Sequence, residues 1–550
     1  MFFQRRKFVF AIILGIILFV PVFAQAVWSD TADFYVESDY DLFGRNKIES
    51  QLIKITNKIY FYADKDWYNS FSQKSELDSR IYNLSSSFEY KTYPNLVNLL
   101  GSEDNPGVDN DSRIVVVLEP LKKDYGGYVR TGDNYLKENF SLSNQGQIIY
   151  LNANLIIQSS SDFLNYELAH EFTHLIVFKQ KPEAETWFQE LMAEITPVIL
   201  NYDNENIVLK KRAQSFLYST EINLQDWKNF EKDYGKIKLL GLYLKEQFGN
   251  QLFVQALKYP SNHGIVSFNA ALKQLRINNN FDDIYLNWLI TNVVNDCQID
   301  SKYCYEDSAL NNFQIFSNNY YLPAQNESFL SVTDSINTWT GKWQKLTGGT
   351  GTIKLKFTIP EETPITKIPY MIENVSGKKT VQYLDFSSTN IQEVYINDMG
   401  SKNMAVYFIP FIGSKGQAGK TYYYSWEAKV LGNSSESREE AVKDLLQKIA
   451  ELKRKIASLQ LQLAMMKTSQ SNQYCLVFSG DLYYGMTSSE VKCLQQFLTN
   501  LGSNIYPEKL VTGYYGPLTK AAVKRYQALQ GIITTGYFGP LTRTAINSTL

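Results

Sequence analysis

Five residues, His170-Glu171-Phe172-Thr173-His174, set two imidazoles four positions apart with a carboxylate between them. On an α-helix this spacing puts both rings on one face, about 6 Å apart along the axis. Two neutral imidazoles so placed can ligate one tetrahedral zinc, with Glu171 beside the metal's open position. The chemistry is hydrolysis. Zinc lowers the pKa of a bound water towards ~7 and polarises a carbonyl, while the carboxylate carries the water's proton to the leaving amine. Only 3 histidines occur in 550 residues and two of them are here, which makes a chance match rare. The competing reading is a polar stripe on an amphipathic helix.

The flanking residues supply that helix. Ser159-Ser160-Ser161-Asp162 offers N-cap residues, and Phe163, Tyr166, Leu168, Phe172, Leu175, Ile176 and Phe178 follow at helical spacing. Lys181-Pro182 ends it, since proline disfavours a helical residue before it. A second helix is expected through Glu185 to Ile195. A catalytic zinc takes three protein ligands and a water, so a third ligand is needed. Of the downstream carboxylates, Glu183 and Glu185 sit at a helix start, where they complement the dipole. Glu190 and Glu194 lie one turn apart, deep in an otherwise apolar helix.

His-Glu-x-x-His followed by a Trp187-Phe188-Gln189-Glu190 helix resembles the gluzincin class of zinc metallopeptidases, especially its secreted bacterial branches. The resemblance implies an α+β zincin-like fold, Glu171 as catalytic base, and His170, His174 and Glu190 as zinc ligands. It also implies that Glu194 holds a ligand histidine from behind. Two departures stand out: fifteen residues separate His174 from Glu190, and Leu191 replaces the glycine that often follows the ligand glutamate. An oxyanion donor is also required, and Tyr234, Tyr243, Tyr259 and His263 lie in the right general region without a motif to choose among them. His263 reads as an ordinary loop histidine.

At 550 residues the chain holds several domains. Its net charge of -2 gives no general attraction for nucleic acid, and none is expected as a partner. Residues 1–26 read as a secretory signal: Arg5-Arg6-Lys7, an apolar run from Phe8 to Val20, and Ala24-Gln25-Ala26 as a cleavage site. No membrane association is expected once it is removed; an uncleaved anchor is the alternative reading, and both put the rest of the chain outside the cytoplasm. The four cysteines fit export, and the spacings of Cys297 with Cys304 and Cys475 with Cys493 suggest two local disulfides, although four cysteines allow three pairings.

Residues 27–310 read as the zincin-like metallopeptidase domain, with strands at Arg113–Leu118 and Gln147–Leu151. Tyr125-Gly126-Gly127-Tyr128 is expected to shape a substrate edge, where an extended peptide adds as a strand. The acidic run Glu103 to Asp111 misses calcium-loop spacing and reads as a solvated turn. Residues 316–431 read as a β-sandwich domain, with alternating strands at 352–359, 381–386, 394–396, 404–409 and 422–426. Residues 436–467 carry Val442, Leu445, Ile449, Leu452, Ile456, Leu459, Leu463 and Met466 on three- and four-residue steps. That is a coiled-coil seam and the expected route to a homodimer, unless the helix lies on a neighbour or acts as a spacer. Residues 468–473 form a polar linker.

The last stretch, 474–550, repeats itself at an offset of 23: Thr512-Gly513-Tyr514-Tyr515-Gly516-Pro517-Leu518-Thr519 returns as Thr535-Gly536-Tyr537-Phe538-Gly539-Pro540-Leu541-Thr542. Each copy leads into a short helix. This set resembles the small helical peptidoglycan-binding domain of bacterial wall enzymes. The resemblance implies peptidoglycan as partner and points to Tyr514, Tyr515, Tyr537 and Phe538 as contact residues, with core packing as the alternative for each.

The sequence therefore predicts a secreted or cell-wall-associated zinc endopeptidase that cuts polypeptide substrates and is held at the wall by its C-terminal domain. Two alternatives stand beside it: a peptidoglycan stem-peptide hydrolase of the same chemistry, and a non-catalytic cell-wall-associated scaffold. The intact Glu171 argues against the scaffold, because a structural metal site has no use for a base.

Overall fold

The computed structural model describes residues 28–123, 125–228, 230–324, 327–431 and 477–549. The expected signal, coiled coil and linker lie outside these residues. The chain forms two compact units, Met1–Leu431 and Gly432–Leu550.

The first unit begins with a six-stranded sheet. Its strands are β1 (Thr31–Tyr35), β2 (Lys47–Ile55), β3 (Ile59–Asp64), β4 (Ile114–Glu119), β5 (Gly127–Val129) and β6 (Ile148–Asn152), in the order β1-β2-β3-β4-β6-β5. β3, β4 and β6 are parallel neighbours and are buried along their whole length, as apolar runs covered on both faces should be. Alternation divides their side chains. Phe61, Val116 and Ile149 enter the main helical core, while Tyr60, Tyr62, Val115, Val117 and Tyr150 enter a second core on the other face. β5 is the antiparallel edge strand and pairs only with β6.

Helices α1 (Lys65–Ser70), α2 (Lys74–Ser87) and α3 (Tyr93–Leu100) lie between β3 and β4. After β6 come α4 (Leu155–Gln158), α5 (Ser161–Gln180), α6 (Thr186–Ile199) and α7 (Ile207–Phe216). Then follow a short strand β7 (Glu221–Asn223), α8 (Glu231–Phe248), α9 (Gln251–Lys258), α10 (Gly264–Gln274) and α11 (Phe281–Val294). α5 is buried on most of its circumference, so it is a central helix rather than a surface one.

Eleven further strands complete the unit: β8 (Asn318–Leu322), β9 (Phe329–Asn337), β10 (Thr340–Lys342), β11 (Gln344–Gly348), β12 (Gly351–Thr358), β13 (Lys367–Asn374), β14 (Lys379–Asp385), β15 (Ile391–Met399), β16 (Asn403–Phe408), β17 (Phe411–Ile412) and β18 (Thr421–Leu431). β15 and β16 touch only through Met399 and Asn403. Apart from that link, β14-β13-β16-β11-β8 and β15-β12-β18-β9 form two sheets sharing one core. Phe408 meets Phe357 at 5.1 Å and Trp426 at 4.9 Å between ring centroids. The expected boundary at 310–316 is no free joint. β10 pairs with β7 across more than a hundred residues, and Trp339, Trp343 and Phe411 belong to the helical core.

Cys297 and Cys304 are disulfide-bonded. Cys493 is also disulfide-bonded, and its expected partner Cys475 lies outside the described residues. The turn at Glu103 to Asp111 departs from expectation: Glu103 and Asp109 are buried. Tyr93 donates to Glu103 at 3.0 Å and Trp28 to Asp109 at 3.1 Å.

In the second unit, α12 (Ser489–Asn500), α13 (Pro517–Leu529) and α14 (Pro540–Asn547) pack around Leu494, Tyr515, Tyr526 and Phe538. Proline opens the last two helices, where its missing N–H costs nothing.

Candidate metal centre

α5 starts where Ser160 Oγ accepts the Phe163 N–H at 3.2 Å, an N-cap bond. It stops at Lys181, whose buried ammonium donates to the carbonyls of Tyr259 and Ser261. α6 crosses beside it, with Thr173 and Thr196 hydroxyls 2.6 Å apart beneath the motif. This packing brings His170, His174 and Glu190 together, with one ligand atom from each lying within 4.8 Å of the others. The two Nε2 atoms are 3.2 Å apart. Glu190 Oε2 lies 3.7 Å from His170 Nε2 and 3.8 Å from His174 Nε2.

These distances suit a metal. Ligand atoms about 2.0–2.1 Å from a tetrahedral ion stand about 3.3 Å apart. Glu190 Oε2 is buried with no hydrogen-bond partner among the described residues, a costly arrangement unless a cation completes it. Burial pushes His170 down to about 4 and His174 down to about 3, so both rings are neutral near pH 7 with a lone pair to give. Burial, then the charge of Glu194, pushes Glu190 up to about 8, against the pull of Arg212. A bound cation would reverse that shift.

The other carboxylates sort by contact. Glu185 accepts from Trp187 Nε1 at 3.0 Å and from the Gly264 N–H at 2.9 Å, and Glu183 accepts from Asn262 at 3.2 Å. Both tie down the loop before α6. Glu194 sits fully buried behind the site. It accepts from Tyr166 at 2.6 Å, pairs with Arg212 at 2.7 Å, and lies 3.8 Å from Lys238. Burial by itself would raise its pKa, but the charges of Arg212 and Lys238 outweigh it and hold the carboxyl down, to about 2. The Ala193 backbone and the charge of Glu194 both favour the protonated form of His170, against the larger effect of burial, and no hydrogen bond joins the Glu194 carboxylate to that ring. Glu194 reaches that ring only as a nearby charge.

Glu171 is 4% exposed and has no hydrogen-bond partner among the described residues. Burial, then the charges of Glu167 and Glu190, raises its pKa well above the usual carboxylate range. The edge strand passes directly over it. A Cβ on Gly127 would stand 3.1 Å from Glu171 Cγ and 2.8 Å from the Tyr150 carbonyl oxygen, so only glycine allows this approach. A Cβ on Gly126 would fall inside the Glu167 carboxylate.

Among the candidate oxyanion donors, Tyr234 lies near enough to feel the charges of the site's carboxylates. Burial raises its pKa, and Glu190 and Glu171 add to the shift. Its ring is held between Arg212, 4.6 Å away, and Trp227, 5.0 Å away. Burial raises the pKa of Tyr40, which sequence reasoning missed, and the neighbouring Tyr125, Glu190 and Glu171 add to the shift; its ring lies 4.5 Å from that of Tyr125. Tyr243 donates to the Lys302 carbonyl at 3.0 Å, and His263 is a surface residue 3.5 Å from Glu185.

In the second unit two of the four proposed contact residues are corrected. Tyr515 and Phe538 are fully buried core residues, whereas Tyr514 and Tyr537 are 44% exposed. Alternation at each turn sends one aromatic inward and its neighbour outward. Tyr483 and Tyr484, which the repeat did not flag, are also exposed. The repeat is fastened by two buried glutamines. Gln495 accepts from the Gly513 N–H at 2.7 Å and donates to Tyr514 O and Thr519 Oγ1 at 2.8 Å. Gln527 does the same with Gly536, Tyr537 and Thr542.

Residues 487–546 match the family model for the peptidoglycan binding domain. This supports peptidoglycan as a partner and association with the cell wall. No curated protein matches the chain. Among solved structures it is similar to the mitogen from Yersinia pseudotuberculosis, at 11% identity over 20% of this chain and 92% of that one, with a TM-score of 0.15. It is also similar to the pre-peptidase C-terminal domain of the Bacillus anthracis collagenase, at 12% identity over 21% and 95%, TM-score 0.15. A third is PliG, a periplasmic lysozyme inhibitor from Aeromonas hydrophila, at 7% identity over 21% and 98%, TM-score 0.15. Scores this low carry no argument. Among the described residues no helix is long and apolar enough to cross a membrane.

Proposed function

We propose that the chain is an exported zinc endopeptidase of zincin-like fold, held at the cell wall by its C-terminal domain. The observation that carries this reading is the convergence of His170, His174 and the orphaned Glu190 oxygen beside an unpartnered Glu171. Zinc held by His170, His174 and Glu190 would supply Lewis-acid polarisation of the scissile carbonyl and acidify a water. Glu171 accepts the proton of the attacking water and returns it to the departing amine. Tyr234, kept protonated by its buried setting, donates to the oxyanion. The free edge of β5 pairs with an extended peptide and lays its scissile bond across Glu171. A homodimer through residues 436–467 belongs to the same proposal, with sedimentation as its test.

The test uses purified full-length chain on casein-type proteins and on purified sacculi, with and without chelator. The expected result is protein cleavage that chelator removes and Glu171→Gln abolishes. Release of stem peptides from sacculi alone would replace the endopeptidase reading with the peptidoglycan one. Full activity in Glu171→Gln would overturn both.

A further inference from the structure

The first unit has a second concavity, formed away from the histidines where the helical part meets the β-strands. β7, β10 and β17 make a three-stranded sheet whose two faces differ in kind. Gly341 faces the helical core, since a Cβ there would strike Leu289. Its neighbours Thr340 and Lys342 must point the opposite way, joined by Asn223 and Glu221, their partners in register. This polar face floors a cavity of about 530 Å³, within the range of about 300–1,000 Å³ typical of small-molecule sites.

Two features point to a ligand. Thr340 is 1% exposed, yet its hydroxyl has no hydrogen-bond partner among the described residues. Such an orphan costs about 1–3 kcal/mol unless something fills it. Above the floor, Tyr218 stands 73% exposed at the rim, stacked on Phe316 at 4.8 Å between centroids. The walls carry three lysines and three carboxylates. Two of each are already paired with one another, Lys228 with Asp226 at 3.0 Å and Lys236 with Asp233 at 3.1 Å. Lys342 on the floor is engaged by Glu221 at 3.3 Å and by Asp334 at 2.9 Å, so the lining is rich in donors and acceptors but has no surplus of positive charge for a phosphate or carboxylate ligand. An uncharged molecule with many hydroxyls and a flat apolar ring face fits it.

We propose that this cavity binds an oligosaccharide, with Thr340, Asn337 and Lys232 hydrogen-bonding its hydroxyls and Tyr218 stacking on a sugar ring. It would give the first unit a glycan site of its own, separate from the C-terminal domain. N-acetylglucosamine oligomers are the natural probe, because the second unit matches a peptidoglycan-binding family.

All 8 tryptophans lie between residues 28 and 426, so tryptophan emission reads the first unit alone, and Trp227 sits between two lining residues. The full-length chain is titrated with N-acetylglucosamine tetramer, and in parallel arms with soluble peptidoglycan fragments, maltotetraose and inorganic phosphate. The expected result is a saturable emission change with a saccharide, weakened at least about fivefold in Asn337→Ala and in Thr340→Val. The parallel arms tell wall glycan from other sugars. Should Thr340→Val fail to fold, Asn337→Ala and Lys232→Met, both at exposed positions, decide the matter with unchanged melting temperatures as control. A flat signal with every saccharide, equal affinity in all variants, or saturation by phosphate instead would overturn the proposal.

Discussion

Replacing Glu194 by glutamine removes one negative charge from a cluster that holds two positive ones. Glu194 is fully buried, Lys238 is 1% exposed at its side chain, and Arg212 is 18% exposed. Stripping one partner from a buried ion pair costs about 3–5 kcal/mol, because the remaining charges are left without compensation. The depressed pKa of its carboxyl points to a similar figure. Its partners hold Glu194 at about 2, against 4.5 for an ordinary glutamate. That depression is worth about 3 kcal/mol at ~1.4 kcal/mol per pH unit. The stabilisation is complete above the unfolded value and is lost as pH falls through the folded one. With an unfolding entropy of ~2 cal/mol/K per residue over the first unit, the variant should melt roughly 4–6 °C lower at pH 7. Tryptophan emission, blind to the C-terminal unit, is the assay. The gap from wild type should shrink by about half at pH 3, where the carboxylate of the unfolded chain has taken up its proton and that of the folded chain is only beginning to. Adding Lys238→Met should recover part of the loss, since the two sites share one interaction. A variant melting within 1 °C of wild type at pH 7, or a gap that does not change with pH, would refute the ion-pair account.

Glu119 should behave in the opposite sense. Burial, with Asp41 beside it, pushes its carboxyl up to about 8 against the Tyr128 hydrogen bond, so the folded chain keeps a proton that the unfolded chain releases near 4.5. Stability should therefore fall as pH rises from about 5 to 8, and Glu119→Gln should gain on wild type across that window in thermal melts. Gly127→Ala should cut hydrolysis by about a hundredfold, because the added methyl displaces the strand or Glu171, and should also lower the melting temperature, because the methyl would stand 2.8 Å from the Tyr150 backbone carbonyl oxygen; unaltered turnover would contradict the close approach. Gln495→Ala leaves the Gly513 N–H and Thr519 hydroxyl of the second unit unpaired. It should weaken retention on sacculi and expose that unit to limited proteolysis, whereas wild-type resistance would count against the glutamine staple.

Local periodicity made the centre of this molecule readable. The His-x-x-x-His spacing and the Lys181-Pro182 stop need only helix geometry, and Glu190 stood out as a carboxylate inside an apolar helix. What stayed hidden arrives from far along the chain. Arg212 and Lys238 come from α7 and α8, so Glu194 looked free to serve a histidine when its charge was already engaged. Gly127 reaches Glu171 from 44 residues upstream, and its role depends on the sheet order. β8, β9, β11 and β13 were not foreseen, and β13 carries Pro369, which poorly suits a strand interior. Its pairing with β16 begins only at Tyr370, so the missing N–H falls outside that ladder. The tie between β7 and β10 likewise had no local signature, and it joins two segments that composition had separated. In the second unit the 23-residue repeat was plain, but Tyr515 and Phe538 could not be told from Tyr514 and Tyr537 without knowing which way each turn faces.

The central claim is a metal ion gripped by His170, His174 and Glu190. Elemental analysis of the purified full-length chain, wild type beside Glu190→Ala, tests it most directly. Wild type should carry about one zinc per chain, and the variant should lose most of it while keeping its tryptophan-monitored fold. Equal zinc in both proteins, or none in wild type after dialysis against the metal, would contradict the account.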